Sequence, residues 1–307
     1  MKYKLFKLSF RTAVHFGRHS LDDAECVLHS DTLFAAMCTE AVKMGDNALD
    51  NLVDAAERGE ILISDALPFV GGHYLLPKPL KYIEHSANDE SVAREKDYKK
   101  LTYVPHDMLS DYLSGNMDIV QAKSIVNSIG SSEMRQVARV NTGGKDAEPY
   151  RIGSFYFNEQ SGIYFILGYE SDSSLEIAKN IFEALSLCGI GGRRSSGLGK
   201  FVLTEEDLPE EIAGRIDKEA DCYMTLSISL PKDDEIEDVL ADASYQVVKR
   251  SGFVASEDYN PTPRRKKDLF ACAAGSCFSK KFEGSIVDVS SHGSHAVYRY
   301  AKPLFIS

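Results

Sequence analysis

The sequence predicts an α+β protein of two domains. Three observations favour this class. Short runs alternate apolar with polar residues, which is typical of half-buried strands. Other segments carry apolar residues at three- and four-residue spacing, which is typical of helices. The alternation of strands and helices also restarts in the last third of the 307 residues, and that length is usual for two domains.

The first domain is predicted over residues 1–205. It begins with a strand at 6–10, where Phe6, Leu8 and Phe10 alternate with polar residues. A helix capped by Ser30 or Asp31 follows. A second helix is predicted over 46–58 and a strand over 61–64.

A large insertion at about 81–150 interrupts this domain. Its first part, 81–100, is polar and charged and is predicted to be exposed with little core of its own. Two short helices are predicted at 107–114 and 117–129. Two aromatic and β-branched runs after them, 152–157 and 162–169, predict a hairpin.

The first domain ends with a helix and a strand. Ser173 and Glu176 have the spacing of a capping box for a helix that ends at Cys188, before Gly189. A strand at 200–203 completes the order strand, helix, strand, strand, helix, strand. That order is the split βαβ, ferredoxin-like (RRM-like) arrangement.

A second, degenerate ferredoxin-like domain is predicted over 220–307. Alternation from Cys222 to Leu230 indicates its first strand. A short helix at 234–243 follows, and no second helix is evident. The further strands are predicted at 244–250, 285–289 and 296–306.

Charge is unevenly distributed along the chain. The formal net charge is −11, which alone argues against a nucleic-acid partner. However, residues 204–242 contain fourteen acidic and three basic residues, whereas the other 268 residues hold 32 of each sign. Basic residues are concentrated at 191–200 and 261–267. An anionic ligand is therefore compatible with the sequence if the acidic segment lies away from it.

Several classes of protein are excluded or disfavoured. The longest stretch without Asp, Glu, Lys or Arg is twelve residues, too short to span a membrane. No signal peptide is evident, and six scattered cysteines form neither a disulfide framework nor a C-x-x-C zinc motif. We therefore expect a cytoplasmic protein with no metal and no cofactor.

The most informative segment is the glycine loop, residues 189–200, with the sequence GIGGRRSSGLGK. Glycines allow a close backbone approach and positive φ, while Arg193, Arg194 and Lys200 supply charge for an anion. The loop lacks the P-loop pattern, since Arg194 and Phe201 stand where glycine and Ser or Thr are required. It also precedes a strand, unlike a dinucleotide-binding loop.

The glycine loop, written G-x-G-x-x-R-S-x-G-L-G-x-F, resembles the signature of the RAMP superfamily of CRISPR RNA-binding proteins. Further segments make the chain similar to the family of subunit four of the type III-A (Csm) effector complex. They are HFG at 15–17, SDTLFAAM at 30–37, SDALPF at 64–69, YLLPKPL at 74–80, RQVARV leading into EPYRIGSFYF at 135–157, and HAVYRYAKPLFI at 295–306.

This resemblance implies a non-catalytic subunit that holds the 5′ handle of the CRISPR RNA (crRNA). It also implies two protein partners, the large polymerase-like subunit and the backbone RAMP subunit. A β-hairpin thumb from about Glu133 to Tyr156 is expected in the first domain, with Arg135, Arg139 and Arg151 as its cations.

The resulting candidate RNA-binding residues lie in three segments, with the segment at 263–267 ranked below them. They are His15, Gly17 and Arg18; Arg135, Arg139 and Arg151; and Gly191, Gly192, Arg193, Arg194, Ser195, Ser196, Gly197 and Lys200. Two alternatives stay open. One is a metal-independent endoribonuclease that processes repeat RNA with His15 as its acid or base. The other is a scaffold whose basic loops contact only protein.

Overall fold

The computed structural model describes residues 1–17, 20–45, 47–83, 91–139, 148–256 and 258–307, with the backbone alone for 91–95 and 139. In these ranges the protein is an α+β molecule with antiparallel sheets, as predicted. No helix in the described parts of the chain combines the length and the apolar character needed to cross a membrane.

The first half of the chain is organised by a sheet of seven strands among the described residues. Its order is β5-β4-β3-β8-β1-β9, and β2 pairs with β8 beside β3. The strands are β1 (Lys2–Phe10), β2 (Ile61–Ile63), β3 (Leu67–Val70), β4 (His73–Pro77), β5 (Tyr103–Pro105), β8 (Ser161–Tyr169) and β9 (Phe201–Glu206).

Two helices, α1 (Ser30–Ala41) and α6 (Asp172–Cys188), pack on one face of this sheet. Aromatic rings fill the interface: Phe165 lies 5.3 Å from Phe6 and 4.5 Å from Phe182 between ring centroids. A further helix, α2 (Ala48–Glu57), matches the helix predicted at 46–58. The order β1, α1, β2, β8, α6, β9 is the predicted one.

The predicted caps of both helices are wrong. At α6, Ser171 Oγ accepts the amide of Ser174, so Ser173 and Glu176 do not form the capping box. At α1 the N-cap is His29, because the side chains of Ser30 and Asp31 serve other partners.

The predicted hairpin of 152–157 with 162–169 is also wrong, although both strands exist. Strand β7 (Glu148–Phe157) pairs with β6 (Gly130–Arg139) over ten residue pairs. Strand β8 is buried along its whole length and pairs with β1, β2 and β3. A strand buried on both faces takes a central position in a sheet. The pair β6–β7 spans the residues for which the resemblance implies a thumb, and we refer to these two strands as the thumb hairpin.

The insertion contains the predicted short helices, α4 (Leu109–Leu113) and α5 (Ile119–Asn127), and before them α3 (Ser91–Lys100). Within 81–100 the side chains of 84–95 lie outside the described part of the structure, and five of the other eight residues are exposed, as predicted. The exception is Tyr98, which is 5% exposed and packs with the insertion against the second face of the main sheet. This layer forms a second core that includes Leu5 and Ile166.

The second half is less regular than predicted. Its elements are α7 (Glu210–Ile216), β10 (Tyr223–Thr225), α8 (Ile236–Leu240), β11 (Val247–Arg250), β12 (Leu269–Cys272), β13 (Cys277–Phe278), β14 (Ser285–Asp288), β15 (Tyr298–Ala301) and β16 (Phe305–Ile306). The strand predicted over 222–230 is only three residues long, because the amides of Ser227 and Ile228 donate to the side chains of Thr225 and Asp65 instead of to a neighbouring strand. Met224, Leu304 and Ile306 join the second core of the first half.

Candidate nucleic-acid interface

The glycine loop connects α6 to β9 through a series of left-handed residues. Gly191 has φ +90°, Arg193 has φ +62° and Gly197 has φ +86°. The loop is closed at its base by Ile190, whose amide donates to the carbonyl of Gly199 at 3.0 Å. A Cβ at Gly199 would lie 2.0 Å from the carbonyl oxygen of Ile190. This closed bend therefore requires glycine.

The loop packs on the predicted segment at 15–17. The amide of Gly192 donates to the carbonyl of His15 at 2.9 Å, and a Cβ at Gly191 would lie 2.8 Å from the ring of Phe16. A Cβ at Gly192 would lie 2.6 Å from the His15 ring. These glycines therefore make room for protein neighbours. At Gly197 nothing lies within 4 Å of an added Cβ, so this end of the loop is open.

His15 joins this segment to the thumb hairpin. Its ring Nδ1 donates to the carbonyl of Gly153 in β7 at 2.7 Å. Backbone hydrogen bonds between Val14 and Phe155, 2.9 and 2.8 Å, hold the same two segments together. His15 is therefore placed between the glycine loop and the base of the hairpin.

The basic residues of the loop point in different directions. The guanidinium of Arg193 lies over the ring of Tyr150 in β7, 5.0 Å from its centroid. Arg194 pairs with the buried Glu40 of α1 at 3.4 Å. Ser195, Ser196 and Lys200 are exposed.

The thumb cations also differ in their surroundings. Arg135 pairs with Glu133 at 3.1 Å and stacks over Tyr156. Arg151 is exposed and makes no ion pair with a described residue. Arg139 lies at the end of β6, but its side chain is outside the described part of the structure, as is the whole of Arg18.

A cleft of about 330 Å³ opens between α1, the glycine loop and the segment that follows β11. Five of the predicted site residues line it: His15, Gly17, Gly191, Gly192 and Arg194. None of the residues 204–242, all of which are described, lines this cleft. Sequence reasoning missed lining residues from other parts of the chain, which include Glu25, His29, Thr32, Thr39 and Arg250. Lys266, which also lines the cleft, belongs to the segment at 263–267 that the sequence ranked below the main candidates.

A buried charge network supports one wall of the cleft. The carboxylate of Asp31 accepts hydrogen bonds from Arg250 Nε at 2.9 Å and from Arg250 Nη2 at 2.8 Å. It also accepts one from Arg299. Burial alone would raise the pKa of Asp31, but the charges of Arg250 and Arg299 hold it well below its usual range. The second half of the chain therefore fixes the start of α1.

His29 forms the adjoining pair with Asp65, Nδ1 to Oδ2 at 2.6 Å. Asp65 also accepts the amides of Ser30 and Ile228 at 2.8 and 3.0 Å. Burial would lower the pKa of His29, but the charge and hydrogen bond of Asp65 raise it above the usual value. His29 directly precedes the segment at 30–37, one of the segments that carry the family resemblance. Its position next to that segment is the signal in the sequence that could have identified His29.

No group of three or more His, Cys, Asp or Glu side chains suitable for a metal ion occurs among the described residues. The cleft offers instead imidazoles, guanidinium groups, an ammonium group and hydroxyls. These groups suit the phosphates and polar edges of a nucleic acid.

Comparison with known proteins identifies the family. A model of the CRISPR Csm4 C-terminal domain matches residues 218–307. The chain is 40% identical over its whole length to Csm4 of Mycobacterium tuberculosis, covering 98% of that protein. It is 34% identical to Csm4 of Streptococcus thermophilus, with 99% of this chain and 98% of that protein covered.

Solved structures share the fold. A crystal structure of a Csm3–Csm4 subcomplex of the type III-A CRISPR-Cas interference complex matches with a TM-score of 0.69 and 20% identity, covering 100% of this chain and 99% of that one. A Csm1–Csm4 cassette in complex with cA4 matches with a TM-score of 0.62 and 20% identity, covering 100% and 98%. With 40% identity across the full chain to a curated relative, this protein belongs to the Csm4 family of type III-A CRISPR systems.

Proposed function

We propose that this chain is the non-catalytic subunit that holds the 5′ handle of the crRNA in a type III-A effector complex. The observation that carries the proposal is the convergence of three predicted segments, two of which, the glycine loop and the segment at 15–17, line one cleft. The glycine loop, the segment at 15–17 and the base of the thumb hairpin come together through Gly192, His15 and Gly153.

The partners follow from the family. Csm4 proteins of similar fold have been solved with Csm3 and with Csm1, as the names of those complexes state. We infer that this chain likewise joins the backbone subunit to the large polymerase-like subunit. In this arrangement its loops hold RNA while its other surfaces contact protein.

The first half has the strand order of a ferredoxin-like domain. Strands β9, β1, β8 and β2 lie side by side, with α1 and α6 on one face. We infer that this half is the RAMP domain and that the second half is a degenerate copy. The insertion covers the other face of this sheet, so we expect the RNA at the cleft beside the glycine loop and not on the sheet itself.

Local charge supports an RNA ligand despite the net charge of −11. Arg194, Arg250 and Lys266 line the cleft, together with one carboxylate, Glu25. Three acids of the 204–242 segment already bind cations of β1: Glu205 and Asp207 bind Lys4, and Glu206 binds Lys7. The acidic segment therefore contributes no carboxylate to the cleft, where Arg194 and Arg250 are paired with Glu40 and Asp31 and Lys266 makes no ion pair with a described residue.

A metal-independent endoribonuclease is the second candidate, because His15 and His29 both line the cleft. The Nδ1 atoms of both rings are engaged, by the Gly153 carbonyl and by Asp65. We expect no cleavage when the purified protein is incubated with repeat RNA in EDTA. Specific cleavage that is abolished by His15→Ala would favour the nuclease.

The RNA-holding role is tested in the assembled complex. Replacing Arg193, Arg194 and Lys200 together by alanine should weaken binding of the handle RNA by at least tenfold at about 0.15 M salt, because phosphate contacts dominate affinity. The matched control replaces Lys2, Arg58 and Lys218, which lie outside the glycine loop, the thumb strands and the lining of the cleft. Handle affinity unchanged in the first variant would show a protein scaffold in place of an RNA grip. Co-purification from the native host, with sequencing of the bound RNA ends, identifies partners and RNA together.

A further inference from the structure

The second half of the chain contributes a lysine to the cleft. Lys266 belongs to the basic segment at 261–267, whose neighbouring residues Arg264, Arg265 and Lys267 are exposed. Lys266 is instead half-buried and lines the cleft. Its backbone is held in place, because its amide donates to the carbonyl of Gly252 at 2.9 Å.

The other basic side chains of the cleft have carboxylate partners. Arg194 pairs with Glu40, and Arg250 pairs with Asp31. Lys266, by contrast, makes no ion pair with any residue in the described ranges of the chain.

The surroundings of Lys266 make this unpaired charge unfavourable. Arg250 and Arg299 lie near it, and both are already engaged by the single carboxylate of Asp31. Burial lowers the pKa of Lys266, and the charges of Arg299 and Arg250 act in the same direction, while Asp31, which the two guanidinium groups share, acts against them. A half-buried ammonium without an ion pair is costly. An anion entering the cleft would remove that cost.

We propose that Lys266 binds a phosphate group of the RNA held in the cleft. The proposal rests on the proposed function and assigns to the second half of the chain a direct part in RNA binding. A phosphate fits because the ammonium group, the imidazole of His29 and the guanidinium of Arg194 reach the cleft from three separate elements. Fixed donors of this kind hold the RNA in one register.

The test compares Lys266→Met with Lys267→Met in the assembled complex. Both variants lose one positive charge from adjacent residues, but only Lys266 lines the cleft. We expect Lys266→Met to weaken binding of the handle RNA by about tenfold at 0.15 M salt, since a charged hydrogen bond is lost. The slope of log affinity against log salt should fall by about 0.7, as for one phosphate contact on a single strand. Lys267→Met should leave both quantities unchanged.

A second measurement separates binding from folding. Because Lys266 makes no ion pair with a described residue, Lys266→Met should keep or raise the melting temperature while it weakens RNA binding. Handle affinity and salt slope equal to those of the wild type would overturn the phosphate contact and leave the proposed function intact. Failure of the wild-type complex to bind the handle would overturn the proposed function itself.

Discussion

The guanidinium of Arg250 binds the buried carboxylate of Asp31 through two hydrogen bonds, of 2.9 and 2.8 Å. Asp31 lies in the first turn of α1, whereas Arg250 ends β11 in the second half of the chain. A contact between residues 219 positions apart therefore sets one wall of the cleft. Arg299 forms a second ion pair with the same carboxylate.

Replacing Asp31 by asparagine should destabilise the protein by about 3–5 kcal/mol, because two buried guanidinium groups lose their counter-charge. The free energy of unfolding in urea measures this loss. Asp54→Asn, at an exposed position of α2, is the control and should change stability by less than about 0.5 kcal/mol. Equal stability of the two variants would contradict the structural role of the network.

Acid should weaken the same network. The pKa of Asp31 is lowered in the folded protein, so its contribution is present above the unfolded pKa of about 3.9 and is lost as the pH falls toward the folded value. Wild-type stability should therefore drop steeply below about pH 5, and Asp31→Asn should flatten that drop. Urea unfolding at several pH values measures how the free energy of unfolding depends on pH in the wild type and in Asp31→Asn.

The His29–Asp65 pair predicts the opposite dependence of stability on pH, with stability falling as the pH rises near neutrality. The pKa of His29 is raised in the folded protein, so its contribution is complete below the unfolded pKa of about 6.5 and is lost as the pH rises through the folded value. His29→Gln should remove this decline, whereas His73→Gln, at a half-exposed histidine outside the cleft, should retain it. Melting temperatures between pH 6 and pH 9 check the difference.

Two glycines of the loop should differ in their tolerance of alanine. Both have positive φ, but a Cβ at Gly199 would also meet backbone, whereas a Cβ at Gly197 would meet nothing within 4 Å. We expect Gly197→Ala to cost about 1 kcal/mol from backbone strain and Gly199→Ala to cost clearly more. Thermal unfolding compares them. Comparable losses would mean that the base of the loop is not closed as described.

The two thumb arginines should contribute unequally to RNA binding. Arg135 is already engaged by Glu133 and Tyr156, whereas Arg151 is exposed without an ion pair among the described residues. Arg151→Ala should therefore reduce handle affinity several-fold more than Arg135→Ala. Binding measured at one fixed salt concentration decides the order, and the reverse order would place the RNA on the other side of the hairpin.

Local patterns in the sequence were sufficient to predict many of the helices and strands in the first half. The alternation at Phe6–Phe10 and the spacing of apolar residues in α1 and α6 predicted these elements. Strand pairing was not predictable in the same way, because the composition of β7 does not say whether β6 or β8 lies beside it. In the second half, the alternation from Cys222 to Leu230 predicted too long a strand, because the side-chain acceptors that take the amides of Ser227 and Ile228 are set by tertiary packing.

The candidate site was predictable only where it is contiguous in sequence. The glycine loop and His15 carry recognisable motifs, and the structure places them together. Arg250 and Lys266 come to the same cleft through tertiary packing. Arg250 lies in no motif that indicates it, and Lys266 lies in the basic segment at 263–267, which the sequence ranked below the main candidates. Nor did the sequence show that Arg194 is occupied by Glu40, since that contact spans 154 residues.

The double engagement of Asp31 has a consequence for how the chain matures. Asp31 and Arg299 are 268 positions apart, so a ribosome exposes the carboxylate long before its last counter-charge is made. Until the final segment arrives, the nascent first half keeps an incompletely neutralised acid at the start of α1. The first half should therefore reach its full stability only after Arg299 has been synthesised. Products truncated before Arg299 should be degraded by proteases faster than the full chain.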